Sequence, residues 1–385
     1  MRAILPARAS ARDLPTRILA RHAPMDACVA IQTADGKVAR IGDGEPCFEV
    51  RVINDAGMTA LRSLNELKIC EAYIRGDLDF EGDLIRALEL RQILSDRQRL
   101  IRLWAGLQPR LLGRRRLNAE WVAKHYDSNN IQLLAVDKDF NTYTPGIYET
   151  EDDTLEDGAA RKLEAAFHAL RLKPGDTVLD VGCGWGGFLR YCAREGVNAT
   201  GITLSRHQLD FARKRLREDG LHATVLYQDF FSFAPAQRFD GISMMGVLED
   251  LSNYRFVLQQ ITKWLKPGGL VYCDFAAGNR QFQIPSFVTK HVWPGAFRLV
   301  SMSELTGAIS NSEFEVLEVH NDRRNYQTWA KVGHARWLDR RIEVIDLAGE
   351  SVWRLMRVLF AATAHMMGPE SKNVTAYRMV LELRA

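Results

Sequence analysis

The sequence predicts an α/β protein: a doubly wound, Rossmann-like sheet preceded by a smaller α/β unit. Three observations carry this. From Lys173 onward, short apolar strands alternate with helical segments, the pattern of a parallel sheet covered by helices on both faces. The first of these strands runs directly into the glycine-rich stretch Gly182, Cys183, Gly184, Trp185, Gly186, Gly187. Upstream, residues 46–94 hold one alternating strand pattern followed by two helically spaced ones. A chain of 385 residues, at roughly 150 residues per domain, has room for both units.

Taken in order, residues 1–45 read as a basic arm, with five arginines against the single Asp13 in the first 22 positions. A loose arm suits this better than a transit peptide. Residues 46–96 form the small domain. Within it, 47–54 alternates around Phe48, Val50 and Val52, while Leu61, Leu64 and Leu67, then Leu84, Leu88 and Ile93, lie on apolar helical faces. Residues 97–125 are a basic amphipathic linker. Between positions 97 and 119 lie seven arginines and no acid, interleaved with Leu100, Ile101, Leu103 and Trp104. Such a segment suits either an anionic bilayer surface or a solvated interdomain connection.

Residues 126–385 form the main domain. A helix over 154–170 opens with Thr154 and Asp157, a capping-box pair. Strands follow at 177–181, 199–204, 223–227, 239–244 and 270–275, with an amphipathic helix at 208–216. Helices at 337–347 and 352–366 and a closing strand at 376–383 complete the chain.

Composition narrows the function. Lysine and arginine number 51 against 48 acidic residues, a net charge of +3, so no global field marks a nucleic-acid binder. Arg354 and Arg357 interrupt the apolar run 352–367, and no segment approaches the roughly 20 uninterrupted apolar residues of a membrane-spanning helix. The six cysteines are scattered without a CxxC pair, which argues against structural zinc and fits a reducing, cytoplasmic setting. No metal site is predicted.

The candidate ligand site starts at the glycine turn. Its spacing is neither the G-x-G-x-x-G dinucleotide fingerprint nor a phosphate-cradling P-loop. Asp180, just before the turn, suits a cationic or amine-bearing ligand better than a pyrophosphate. Gly182, Cys183, Gly184 and Gly186 let the backbone approach that ligand. Thr203, Leu204 and Gln208 supply hydroxyl and amide groups where a ribose would lie. Gln228, Asp229 and Phe230 offer a carboxylate for an adenine amino group and an aromatic wall. All of these fall at carboxyl ends of adjacent predicted strands, where open α/β sheets bind ligands.

The run D-V-G-C-G-W-G-G at 180–187 resembles the signature of class I S-adenosylmethionine methyltransferases. Over most of its length the chain is similar to the cyclopropane-fatty-acid synthase family, including its mycolic acid methyltransferase branch. The resemblance rests on residues 178–187 and 201–208, on 246–251, and on His125-Tyr126-Asp127 with Asn130. It rests also on Glu71-Ala72-Tyr73, Gly76 and Asp77-Leu78-Asp79 in the small domain. It implies methyl transfer from S-adenosylmethionine to a double bond of an unsaturated acyl chain in membrane phospholipids. It further implies an amino-terminal lipid-interacting domain, peripheral contact with the inner face of the membrane, and a homodimer. Nucleic acid is not an implied partner. Tyr143 and Thr144, which stand in the family's Y-S-C segment, are implied cofactor contacts.

In that family, bicarbonate held by a cysteine backbone, a glutamate, a histidine and a tyrosine takes the proton that closes the ring. Glu249 matches the glutamate, but Asp250 follows it in place of a histidine. The cysteine segment reads Tyr143-Thr144-Pro145-Gly146, the H-T-I segment reads Asp274-Phe275-Ala276, the late tyrosine falls near His334, and His365 stands about where a carboxyl-terminal cysteine would be. Two outcomes follow. A rebuilt cage of Glu249, Asp250 and His334 could still hold bicarbonate. Alternatively one of these side chains removes a different proton directly, giving a methyl-branched chain rather than a ring. The simultaneous departures favour the second, with a conjugated diene as an apt acceptor. A non-catalytic relative and a methyltransferase of soluble small molecules are the competing readings.

Overall fold

A computed structural model describes residues 29–41, 45–96, 107, 136–251, 253–279, 284–293 and 298–384. The first 28 residues of the basic arm, nearly all of the 97–125 linker and the motif at 125–130 lie outside the described residues.

The small domain is built on a four-stranded sheet, order β2-β1-β3-β4. Its strands are β1 (Val29–Gln32), β2 (Val38–Ile41), β3 (Phe48–Val52) and β4 (Leu78–Gly82), with α1 (Asp55–Arg62) and α2 (Glu66–Arg75) between the last two. β1 runs parallel to β3, and the other pairings are antiparallel. Two of these strands fall inside residues 1–45, so that segment is not an arm throughout. Four-residue strands are too short to display an alternation that could be read in advance. The helical stretch expected through Leu61, Leu64 and Leu67 is also two helices. Leu64 takes a positive φ of 46°, and Asn65 then caps α2 by accepting a hydrogen bond from Lys68 N at 3.1 Å. After β4 comes α3 (Leu84–Ala87), continued by a 3-10 turn at Leu88–Ile93.

The main domain opens with α4 (Leu155–Ala169), whose capping box closes as expected: Thr154 Oγ1 accepts from Asp157 N, and Asp157 Oδ2 accepts from Thr154 N. Then come β5 (Thr177–Val181), α5 (Gly187–Arg194), β6 (Asn198–Thr203), α6 (Arg206–Glu218), β7 (Thr224–Tyr227), β8 (Phe239–Met245), α7 (Tyr254–Trp264) and β9 (Leu265–Gly278). The last third comprises α8 (Ser286–His291), α9 (Met302–Ile309), β10 (Phe314–Asn321), α10 (Arg323–Asp339), α11 (Arg341–Ala348), α12 (Glu350–Met366) and β11 (Val374–Leu383).

The seven-stranded sheet has the order β10-β11-β9-β8-β5-β6-β7. β5 to β9 pair in parallel, whereas β11 is antiparallel to both its neighbours. From β5 the chain winds outward through β6 and β7, then crosses to β8 and β9 on the other side. Loops leaving the carboxyl ends of β5 and β8 therefore diverge, and a crevice opens between them, the usual ligand position in open α/β sheets.

The small domain docks on the helices of the last third. Tyr73 and Leu78 are completely buried in one core with Trp337, Trp353 and Phe360. Arg354 and Arg357 of α12 are buried there too. Arg354 Nη1 donates to Tyr73 O and Leu78 O at 3.0 Å and to Asp79 Oδ1 at 3.2 Å. Arg357 Nη1 donates to Tyr73 Oη at 2.8 Å and Phe80 O at 2.9 Å. The arginines that interrupt the apolar run of α12 thus satisfy backbone carbonyls of the small domain, as buried polar groups require.

Candidate functional site

The glycine turn follows β5. Gly182, Gly184 and Gly186 adopt φ of +70°, +52° and +85°, the left-handed region that side chains disfavour. A Cβ at Gly182 would lie 2.6 Å from Val247 Cγ2, whereas one at Gly184 would meet only Gln208 Nε2, at 4.0 Å. Gly184 therefore faces open space. That space is a cavity of about 160 Å³, walled by the turn, by the ends of β6, β7 and β8, and by residues 141–144.

Tyr143, Thr144, Asp180, Gly182, Cys183, Gly184, Thr203, Leu204, Gln208, Gln228, Asp229 and Phe230 all line this cavity, as does Asp250. Gly186 does not; its hypothetical Cβ would instead press on Ala212 Cβ at 2.9 Å, so it serves the packing of α5 on α6. The polar groups are held from behind. Thr203 Oγ1 donates to Gln208 Oε1 at 2.9 Å, Ser205 caps α6 by accepting from Gln208 N, and Asp229 Oδ1 accepts from Phe231 N at 2.9 Å. Phe230 packs against Trp264, ring centres 4.9 Å apart, and Tyr143 lies edge-on to Trp329.

Asp180 is buried, and its Oδ1 accepts from Ser243 Oγ at 2.5 Å. Burial pushes its carboxyl up to about 7, with the charge of Asp274 adding to the rise and Ser243 and Lys162 opposing it. Burial likewise raises Asp250 to about 7. A neutral carboxyl of this kind ionises readily once a cation is placed beside it.

Glu249 is buried behind the cavity wall and is not among the residues lining it. Its Oε1 accepts from Ala276 N at 2.8 Å, and Oε2 has no hydrogen-bond partner. Burial raises its carboxyl to about 8, helped by the charges of Asp250 and Asp274 and opposed by backbone hydrogen bonds. Tyr326, half-buried on α10, feels the charges of Glu249, Asp274 and Asp322, and its phenol is pushed well above its ordinary range, chiefly by burial.

His334, by contrast, lies two turns further along α10, and it is not among the residues lining the cavity. Its surroundings are those of the docked small domain: burial and the charge of Arg357 hold it down to about 4, against the pull of Asp83. The helical rise between Tyr326 and His334 explains the difference, since only the first turns of α10 reach the sheet. The phenol in the company of Glu249 is Tyr326 itself. His365 on α12 is half-buried and also lowered, by burial and Arg91.

Lys162 was legible but overlooked. It occupies the stripe of α4 that buries Leu155, Ala159, Leu163 and Ala166, a place where lysine is rare unless paired. Its Nζ donates to Thr144 Oγ1 at 2.5 Å and lies 2.8 Å from Asp274 Oδ2. Asn141, Thr142, Trp185 and Phe231 also line the cavity; the first two sit in a turn organised by the buried Asp137 carboxylate, which accepts from their backbone N–H groups.

The donor set fits S-adenosylmethionine: a glycine-bounded cradle, an amide and hydroxyl pair, a capped carboxylate, and buried carboxyls for a sulfonium and an amine. Among the described residues no cluster of His, Cys, Asp and Glu could hold a metal, and no helix is long and apolar enough to cross a membrane.

Comparison with known proteins agrees. The family description "Mycolic acid cyclopropane synthetase" matches residues 114–377. A "probable fatty acid methyltransferase" of Mycobacterium tuberculosis is 30% identical over 364 residues, covering 83% of this chain and 84% of that protein. Sphingolipid C9-methyltransferase 1 of Gibberella zeae is 26% identical over 330 residues, covering 81% of this chain and 64% of that protein. The crystal structure of a mycolic acid cyclopropane synthase complexed with SAH and CTAB superposes with a TM-score of 0.62 at 23% identity, over 69% of this chain and 98% of the other. The chain belongs to the mycolic acid cyclopropane synthetase family and is an S-adenosylmethionine-dependent methyltransferase.

Proposed function

We propose that the protein methylates a carbon of a double bond in unsaturated acyl chains of membrane phospholipids and leaves a methyl-branched, unsaturated product. The observation that carries this reading is the chemistry around Glu249, where an anion does not fit. Pro145 has no backbone N–H to offer. Asp274 is a buried acceptor whose Oδ1 has no hydrogen-bond partner, and Asp322 is buried nearby. Bicarbonate here would compete with the carboxyls of Asp274 and Asp322, on which the cations Lys162 and Arg378 are already spent, so no step is assigned to it.

S-adenosylmethionine supplies an electrophilic methyl group when bound. The residues around the cavity align the alkene with that group and keep water away. Transfer forms one carbon–carbon bond and leaves a cation on the neighbouring chain carbon. Asp250, on the cavity wall, steadies that cation electrostatically. Loss of a proton from a chain carbon to the carboxylate of Asp250 restores a double bond and leaves the new methyl group intact. The relatives named fatty acid and sphingolipid methyltransferases support a lipid acceptor and methylation at carbon. The survival of Glu249 beside Tyr326 is the feature that favours the alternative, a cyclopropane product.

A lipid acceptor also fits peripheral membrane contact by the basic linker, a cytoplasmic location and a homodimer. Purified protein is incubated with S-adenosylmethionine and either phospholipid vesicles carrying monoenoic or dienoic chains or soluble small-molecule acceptors. Mass gain in the released fatty acids is the expected result, larger for the diene. Cofactor binding without methyl incorporation into any lipid would overturn the reading.

A further inference from the structure

We propose that Lys162 is a positioning residue for methyl transfer: it latches the segment carrying Thr144 to the sheet and places a positive charge behind the glycine turn. This rests on the reading that the cavity takes a cationic methyl donor.

Lys162 joins three pieces of the molecule. It projects from α4, donates to Thr144 on the cavity wall, and pairs with Asp274 on β9. Only 2% of its side chain is exposed, so neither bond competes with water. Burying an ammonium is costly unless a carboxylate faces it, and Asp274 does so at 2.8 Å.

The groups facing the network can be named from each side. Asp274 and Asp322 share a small polar pocket with Lys162, Tyr272 and Tyr326. Asp322 is tied to Arg378 at 3.3 Å and to Asn325 Nδ2 at 2.8 Å. Asp180 feels Lys162 as a stabilising charge and Asp274 as an opposing one, with Ser243 donating to it. The thiols of Cys183 and Cys192 are raised by burial and stay neutral. Arg378 is committed to Asp322, which leaves Lys162 as the cation acting on Asp180 among the described residues. A donor bearing positive charge binds an ionised Asp180 better than a protonated one. Lys162 thus sets the pH at which the cavity is ready.

Calorimetric titration with S-adenosylmethionine across the neutral range tests this. In the unmodified protein affinity falls on acidification as Asp180 takes up a proton. Lys162→Met moves that midpoint to higher pH, and each unit of movement lowers affinity about tenfold at pH values below both midpoints. Lys162→Arg keeps the charge and restores the midpoint. Lys162→Gln, which keeps a donor toward Thr144 without the charge, moves it the same way as Lys162→Met and decides the matter if Lys162→Met does not fold. Thr144→Val weakens binding without moving the midpoint. A folded Lys162→Met or Lys162→Gln with the unmodified midpoint would overturn the proposal. Failure of the unmodified protein to bind the donor at any pH would instead overturn the functional reading beneath it.

Discussion

Glu249 and Asp250 are adjacent in sequence but face different surroundings, and that difference assigns their work. Asp250 borders the cavity, while Glu249 is clamped to Ala276 N behind it. Both carboxyls are raised, to about 7 and about 8, so both are protonated in mild acid and competent as bases only above those values. Initial rate in a vesicle assay therefore climbs as pH rises through neutrality. Asp250→Asn lowers turnover by roughly two to four orders of magnitude, the usual share of general-base catalysis, while Glu249→Gln, behind the wall, leaves donor binding in place. His334, held near 4, would already be a free base far below neutrality, so His334→Gln leaves the profile in place. An acid limb near 4 would return the role to His334. At Gly184, alanine places a Cβ in the left-handed region, at a penalty of about 1–2 kcal/mol, and inside the donor's space; loss of donor affinity is expected with the fold retained.

Elements divide into those that carry the site and those that carry the small domain. The strands β5 to β8 present their carboxyl ends to the cavity, and their sequence patterns announced them because each is a short segment rich in apolar and small residues bounded by turns or helical segments. The same was true of the capping box at Thr154, where alanine is expected to cost about 1 kcal/mol in chemical denaturation. What stayed hidden had physical reasons. β10 exposes nearly every residue after Phe314, so it offers no alternation to read. The motif at 71–79 reads as a lipid-facing element, yet it spends Tyr73 and Asp79 on α12. Sequence spacing cannot show a partner more than 270 positions away. Arg354→Met would leave Tyr73 O and Leu78 O without this donor. A loss on the order of 3 kcal/mol is expected, seen as earlier unfolding of the small domain in hydrogen exchange.

At the scale of the whole molecule, the sheet gives the donor its place, and in the proposed mechanism the carboxylates give the reaction its direction. The donor half was legible because a glycine turn, a hydroxyl–amide pair and a capped aspartate each leave local marks at 180–187, 203–208 and 228–230. The proposed proton-accepting half was legible only as a set of departures, because Lys162, Asp274 and Tyr326 come from three separate elements and Glu249 from the turn after β8. Ligand linkage follows from the same cavity: S-adenosylmethionine at a hundred times its dissociation constant should stabilise the protein by about 2.7 kcal/mol, read as a rise in melting temperature.

The most direct measurement uses S-adenosylmethionine bearing a trideuterated methyl group, dienoic and monoenoic vesicles, and mass spectrometry of the released acyl chains. If a carboxylate of this chain takes a proton from a chain carbon, the product carries all three deuterium atoms on an intact methyl group. A product that has lost one deuterium, as ring closure through the new methyl requires, would contradict it.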